Sequence, residues 1–212
     1  MRQVKLYVAC SLDGYIARLD DSLDWLFSPD EDGDGFGYDD FVASVDTLIM
    51  GRRTYDISVA LGGPGYHEDR TTLVLSRSRE GIADDGAIYT AEEPRLLVER
   101  LRANDGGDIW LMGGGQVVRA FLAASLVDEF DVFVHPILLG EGVPLFPAGF
   151  PETPLELRGS EVHPSGLLRL SYRRAAAEPD ERGDPFGERA TAVDPEEGEP
   201  VTGLLLGSRH PA

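Results

Sequence analysis

The chain has 212 residues, and its 38 acidic and 19 basic side chains give a net charge of −19 at pH 7. Such a charge opposes the polyanion-binding surface that DNA or RNA requires, so nucleic acid is not an expected partner. No apolar run approaches the roughly 20 residues of a membrane-spanning helix. No export signal precedes the first strand-like segment, and we expect a cytoplasmic protein without a membrane partner. The single cysteine, Cys10, excludes an intrachain disulfide and a cysteine-cluster metal site.

Composition divides the chain after residue 174. Residues 1–174 alternate between extended and helical patterns and are expected to form one domain. Residues 175–212 contain five prolines, and nine acidic against three basic side chains. This composition buries too little apolar surface to offset the entropy of ordering, so we predict a mobile, acidic, Pro-rich tail. Val201 and the leucines at 204–206 are the exception, because they could dock on the core or on a partner chain.

Strand and helix patterns alternate along the first 174 residues. Extended segments are expected at 4–10, 47–50, 71–76, 87–90, 108–112 and 128–135, and a final pair at 155–162 and 167–172 flanks a turn. Helices are expected at 38–45, after Gly51, from Pro94, and from Gln116 to about Ser125. Segment 108–112 is almost wholly apolar, which is typical of a central parallel strand covered on both faces. The pattern predicts an α/β sandwich with a mostly parallel central sheet and an antiparallel C-terminal hairpin.

The first candidate for ligand binding is the run Gly113-Gly114-Gly115-Gln116, which links a strand to a helix. Glycines let the backbone approach a ligand closely, and the free amides and partial positive charge of a helix N-terminus bind phosphate. The run is typical of a pyrophosphate site. The spacing of the Rossmann motif is absent, because position 118 is valine. A simple tight turn is the alternative interpretation.

Two further turns add fixed cations. Gly51-Arg52-Arg53-Thr54 follows the strand 47–50 and opens a helix, and Ser76-Arg77 follows the next strand. Arginine can bind phosphate through two parallel hydrogen bonds, and Ser76-Arg77 suits the 2′-phosphate that separates NADPH from NADH. Three such turns after parallel strands share the edge where open α/β sheets bind ligands. Solvated surface arginines are the alternative for these positions.

Four motifs, in chain order, carry a resemblance to a known family. The segments Ser11-Leu12-Asp13-Gly14-Tyr15-Ile16-Ala17 and 134–146 resemble the reductase domain of bacterial riboflavin biosynthesis. The segments 50–55 and 111–117 resemble the cofactor motifs of dihydrofolate reductases. Over residues 3–174 the chain is therefore similar to the dihydrofolate-reductase-like superfamily, and most similar to the riboflavin-biosynthesis reductase and its stand-alone relatives.

The resemblance implies a three-layer dihydrofolate-reductase-like sandwich with about eight strands, NADPH across the C-terminal sheet edge, and a homodimer. Gly51-Arg52-Arg53-Thr54 would hold the phosphates, and Ser76-Arg77 would lie near the 2′-phosphate. Gly113-Gly114-Gly115-Gln116 would bracket the pyrophosphate, with a cis peptide between Gly113 and Gly114. The residues facing the nicotinamide would be Ala9, Ile16 and Ala17.

The implied activity is hydride transfer from NADPH to a small heterocyclic or ribosylamino-pyrimidine-like substrate, as in 5-amino-6-(5-phosphoribosylamino)uracil reductase. Asp13 would lie beside the reacting centre as the catalytic candidate, and a loop-capping aspartate is the alternative. The pterin-binding carboxylate of folate reductases finds no match in 24–35, so folate reduction is the weaker interpretation. A non-catalytic dimeric nucleotide-binding module is the second alternative. Metal binding is not expected.

Overall fold

The computed structural model of the protein describes residues 1–26, 37–62 and 70–176. The chain divides into two units, Met1–Ala175 and Ala176–Ala212. The predicted domain of residues 1–174 stays a prediction. The predicted tail lies outside the described residues from 177 onward, and so does part of the acidic insert between Asp20 and Asp40.

The described residues contain eleven strands and four helices. The strands are β1 (Val4–Ser11), β2 (Tyr15–Ala17), β3 (Val45–Gly51), β4 (Thr71–Leu75), β5 (Gly81–Ile82), β6 (Ile88–Thr90), β7 (Asp108–Gly113), β8 (Glu129–His135), β9 (Val143–Pro144), β10 (Leu155–Val162) and β11 (Leu168–Arg174). The helices are α1 (Tyr38–Ser44), α2 (Arg52–Ala60), α3 (Pro94–Arg102) and α4 (Gly115–Ala123). None of these helices is long and apolar enough to cross a membrane.

Nine of the described strands form one sheet in the order β10-β11-β8-β1-β7-β3-β4-β6-β5. The six strands from β8 to β6 are parallel, whereas β5 and the β10–β11 hairpin run antiparallel at the two edges. β2 and β9 form a separate antiparallel pair. The predicted mostly parallel α/β sandwich with an antiparallel C-terminal hairpin is confirmed.

Both faces of the sheet are covered by helices. Ile109 and Leu111 of β7 pack in the main core with residues of α3 and α4. Trp110, between them, packs on the opposite face with Phe41 of α1 and Tyr55 of α2. Since side chains alternate along a strand, this double burial explains why segment 108–112 is apolar at nearly every position.

Most predicted boundaries agree with the structure within two residues, and the differences have local causes. Val45, predicted as the end of a helix, begins β3 because its side chain packs in the core beneath α1. The short strands β2, β5 and β9 were not predicted, since two or three residues carry no periodicity. Counting β5, the main sheet has nine strands within the described residues instead of about eight.

Candidate functional site

A cavity of about 960 Å³ opens where the parallel strands end at their carboxyl termini. Its wall includes the ends of β3, β4, β6 and β7 and the second half of β1. This volume lies near the upper end of the range of about 300–1,000 Å³ typical of small-molecule and cofactor sites. The sheet edge predicted to bind a ligand therefore contains a cavity of suitable size.

Twelve of the thirteen residues predicted to bind the cofactor line this cavity. They are Ala9, Ile16, Ala17, Gly51, Arg52, Arg53, Thr54, Ser76, Arg77, Gly114, Gly115 and Gln116. The thirteenth, Gly113, lies buried just behind the wall. Residues from five separate segments thus come together, and their contact with a cofactor stays a prediction.

The glycine run after β7 packs against the turn after β3. The peptide between Gly113 and Gly114 is cis, as the resemblance implied. The backbone N–H of Gly114 donates to Thr54 Oγ1 at 2.7 Å, which ties the two turns together. A Cβ at residue 115 would overlap the carbonyl oxygen of Pro144 in β9. Gly115 is therefore needed for the packing of this run against β9.

Two helices begin at the cavity without a capping side chain. The N-caps of α2 and α4 are Gly51 and Gly114, neither N-cap has a capping side-chain hydrogen bond, and neither helix has an acidic residue in its first turn. Helix α3 differs, because the Glu93 carboxylate accepts hydrogen bonds from the amides of Arg95 and Leu96. Since β3 and β7 are adjacent strands, the two uncapped N-termini lie side by side. Their free amides and partial positive charges suit a phosphate group.

Four arginines line the cavity: Arg52, Arg53, Arg77 and Arg119. Arg52 faces Asp56 at 3.5 Å, and Arg53 Nε lies 2.7 Å from an oxygen of Asp21. Arg77 and Arg119 are exposed and form no ion pair with any described residue. The cavity lining thus has four arginines and three carboxylates, so it is slightly positive, although the chain as a whole has a net charge of −19.

Ser76 and Arg77 have different roles in the turn after β4. Ser76 is buried, and its Oγ accepts hydrogen bonds from the amides of Ser78 and Arg79 at 3.3 and 3.0 Å. The Ser76 hydroxyl therefore shapes the turn. Arg77 is exposed at the cavity wall, so its guanidinium is accessible to an anionic ligand.

The opposite part of the cavity wall is apolar and is covered by the pair β2 and β9. Ala17 pairs with Val143, and both line the cavity. A Cβ at Gly114 would contact the Ile16 side chain at 3.5 Å, so this loop packs directly on the glycine run. Ala9 lies beside them on β1. An apolar, partly enclosed surface is suited to a flat ring system and to the exclusion of water.

Asp13 lies outside the cavity lining. Its Oδ1 accepts hydrogen bonds from Ser11 Oγ at 2.6 Å and the Leu139 amide at 3.1 Å, and its Oδ2 accepts from the Gly140 amide at 2.7 Å. These bonds, the one from Ser11 foremost, hold the pKa of Asp13 below its ordinary value. Asp13 therefore joins two loops, and a catalytic role for it stays a prediction.

Sequence reasoning missed further parts of the lining, among them Asp21, Arg119 and residues 90–94. Arg119 could have been found, because it lies one helical turn after Gly115 and so faces the same side of α4. Asp21 gave no signal, since its partner Arg53 is 32 residues away. Among the described residues, no group of three or more His, Cys, Asp or Glu side chains is placed to hold a metal ion.

Comparison with known proteins gives consistent matches. The RibD C-terminal domain profile matches residues 2–168. Bacillus subtilis (strain 168) protein YwjB is 38% identical over 174 residues, which are 82% of this chain and 99% of that protein. A crystal structure from Shewanella sp. PV-4, of a protein assigned to riboflavin biosynthesis, is 30% identical with a TM-score of 0.74, and the match covers 82% of this chain and 99% of that one.

A more distant solved structure is a bifunctional protein from Thermotoga maritima, a diaminohydroxyphosphoribosylaminopyrimidine deaminase and 5-amino-6-(5-phosphoribosylamino)uracil reductase. It is 15% identical with a TM-score of 0.63, and the match covers 82% of this chain and 57% of that one. At this identity the likeness concerns the fold.

Replacing Gly115 with alanine should destabilise the protein by about 1–3 kcal/mol, because the new methyl group overlaps β9. Gly159→Ala is the matched control, since no atom lies within 4 Å of a Cβ there and its change should stay within about 0.5 kcal/mol. Chemical denaturation of the two variants measures the difference. Equal stabilities would contradict the packing of Gly115 described above.

Asp13→Asn should lower the melting temperature at neutral pH, because an amide nitrogen cannot accept the hydrogen bonds that the carboxylate receives. Since folding lowers the pKa of Asp13, its stabilising effect is present above the ordinary carboxyl value of 3.8 and is lost as the pH falls through the lowered value. Melting curves from pH 7 downward should therefore converge below pH 3.8. A difference that persists unchanged at acid pH would exclude this role for the Asp13 charge.

Proposed function

Because the chain belongs to the family of RibD C-terminal domains, we propose that it is an NADPH-dependent oxidoreductase. Its proposed substrate is a small heterocyclic or ribosylamino-pyrimidine-like compound. The family is that of the reductase domain of riboflavin biosynthesis. The observation that carries the proposal is the meeting of two uncapped helix N-termini and four arginines in one cavity. Because NADPH is found inside cells, a cytoplasmic location is part of the same proposal.

The phosphates of the cofactor would occupy the polar part of the cavity. The amides at the starts of α2 and α4 would bind the pyrophosphate, with Arg52 and Arg53 beside it. Arg77, which forms no ion pair with a described residue, would bind the 2′-phosphate at the end of β4. A guanidinium without an ion pair binds a phosphate without first breaking a contact to a carboxylate.

The nicotinamide would lie against the apolar wall formed by Ala9, Ile16 and Ala17. When bound, the cofactor supplies a hydride from its nicotinamide C4 to a C=N or C=O bond of the substrate. The protein contributes orientation and a dry surface. Asp13 would not contact the substrate but would hold the loop that carries Ile16 against the 137–140 loop. Tyr7 lines the same wall, where its aromatic ring would contact a heterocyclic substrate.

Titration of the purified protein with NADPH and NADH tests the proposal, with nicotinamide fluorescence and thermal stability as readouts. We expect saturable binding that favours NADPH over NADH. We also expect NADPH consumption when a ribosylamino-pyrimidine of riboflavin biosynthesis, a pterin or a simple carbonyl compound is added. Binding without turnover of any of these would favour a non-catalytic nucleotide-binding module. Binding of neither nucleotide would reject the proposal.

Arg77→Ala should weaken NADPH binding about tenfold or more, because it removes a charge-assisted contact to the 2′-phosphate. NADH, which lacks that phosphate, should bind almost as before. Arg79→Ala is the matched control, since Arg79 lies over the Tyr89 ring at 5.8 Å and does not line the cavity. Equal losses for the two nucleotides would show that the 2′-phosphate binds elsewhere.

Asp21→Asn should tighten binding of both nucleotides about two- to five-fold, because Asp21 competes with a phosphate for the Arg53 guanidinium. Asp24→Asn removes the same charge from the same loop, where Asp24 pairs with Arg18 at 2.7 Å, but Asp24 does not line the cavity. Isothermal titration of both variants separates competition for Arg53 from the general loss of negative charge. An equal change in nucleotide affinity for the two variants would show that the loss of negative charge, and not competition for Arg53, causes the effect.

A further inference from the structure

The lining of the cavity has a cationic part and a part without charge. Its four arginines lie at the start of α2, in the turn after β4 and on α4, which are the places proposed above for the cofactor phosphates or next to them. Other lining residues have uncharged side chains and are not assigned to the cofactor. We call six of these residues the neutral compartment: Tyr7, Leu23, Leu26, Ile57, Ser58 and Met112.

The central sheet contributes Tyr7 and Met112 to the neutral compartment, and both pack on the face that α1 and α2 cover. Tyr7 and Ala9 pack against Phe133, and residues two apart in a strand share a face. The neutral compartment therefore continues from the wall proposed for the nicotinamide. The Tyr7 ring stacks on Phe41 with centroids 4.1 Å apart and lies 4.5 Å from the Phe133 ring centroid. These neighbours hold the Tyr7 ring in place as part of the wall.

Helix α2 and the loop after β2 contribute the rest of the neutral compartment. Ile57 and Ser58 follow Arg53 by about one helical turn, so α2 has cations at its start and uncharged lining residues further along. Leu23 and Leu26 belong to the loop that an ion pair of 2.7 Å joins to Arg53. The same ion pair therefore holds the loop beside the helix, and the two elements border one space.

The described residues provide no arginine or lysine to the neutral compartment. Arg18, on the loop that carries Leu23, pairs with Asp24 at 2.7 Å, and Arg169, beside the Phe133 ring, pairs with Asp131 at 3.0 Å. Neither arginine lines the cavity. The internal segments outside the described residues, 27–36 and 63–69, contain no lysine or arginine in their sequence. A phosphate group placed in the neutral compartment would lose hydration without gaining a cation.

We propose, on the basis of the reductase function proposed above, that the substrate is an uncharged aromatic heterocycle without a phosphate group, bound in the neutral compartment. The phosphates of a bound cofactor occupy the arginines of the cavity, so a substrate phosphate has no cation left to bind. An uncharged ring enters at a smaller cost in solvation and contacts Tyr7. The carbon of its C=N or C=O bond accepts the hydride from the nicotinamide C4, and the nitrogen or oxygen accepts a proton from solvent.

Two matched probes test the proposal: the riboside 5-amino-6-(ribosylamino)uracil and its 5′-phosphate. Calorimetric titration of the full chain saturated with NADP⁺ measures the affinity for each probe. The riboside should bind at least about tenfold more tightly, because the 5′-phosphate brings an unpaired charge into the neutral compartment. In the protein without nucleotide, the 5′-phosphate should bind at the arginines and compete with NADP⁺, whereas the riboside should bind together with NADP⁺.

Ser58→Arg places a cation in the neutral compartment and should tighten binding of the 5′-phosphate to the NADP⁺-loaded protein at least about tenfold. Val59→Arg is the matched control, since it adds the same charge at the next residue of α2, but Val59 is 46% exposed and does not line the cavity. The control should leave the affinities for both probes unchanged. Circular dichroism verifies that each variant is folded.

An NADP⁺-loaded wild-type chain that binds the 5′-phosphate as tightly as the riboside would overturn the proposal, and so would one that binds neither probe. Equal affinities of the two arginine variants for the 5′-phosphate would overturn it as well. All three outcomes are measured on protein that has bound the nucleotide, so they leave the reductase function standing. A chain that binds no nucleotide would reject the reductase function itself, and this inference with it.

Discussion

The close contact between the turns after β3 and β7 is the constraint on which the candidate site depends. These strands are parallel neighbours, and each continues into a helix through a glycine. The hydrogen bond from the Gly114 amide to Thr54 Oγ1 joins the turns, and Gly115 lets β9 cross directly above. Larger residues would separate these segments. The glycines thus bring two helix N-termini to one point and place the apolar pair of β2 and β9 over it.

Charge is distributed unevenly around this point. The chain has twice as many acidic as basic residues, yet the cavity lining contains four arginines and three carboxylates. Each of the three carboxylates has a structural partner: Asp21 pairs with Arg53, Glu92 with Arg100, and Glu93 caps α3. An anionic ligand would therefore meet arginines and free amides, although the net charge of the chain repels it.

The sheet is wider than its helical layers. Helices α3 and α4 cover the central strands, and the antiparallel hairpin extends the sheet beyond them. The hairpin retains an alternation of apolar and polar residues along β11. The cavity and the hairpin lie on different parts of the first unit, since no hairpin residue lines the cavity.

The sequence by itself determined the order of strands and helices, the glycine turns and the family resemblance, which the RibD C-terminal domain match confirms. These features depend on periodicity and turn chemistry, which are local. The tertiary structure decided the position of Asp13, which caps amides 126 and 127 residues away and does not face the cavity. It also decided the pairing of Asp21 with Arg53 and the place of Arg119 in the cavity wall. Such contacts join residues far apart in the chain, and no local pattern specifies which distant side chains will meet.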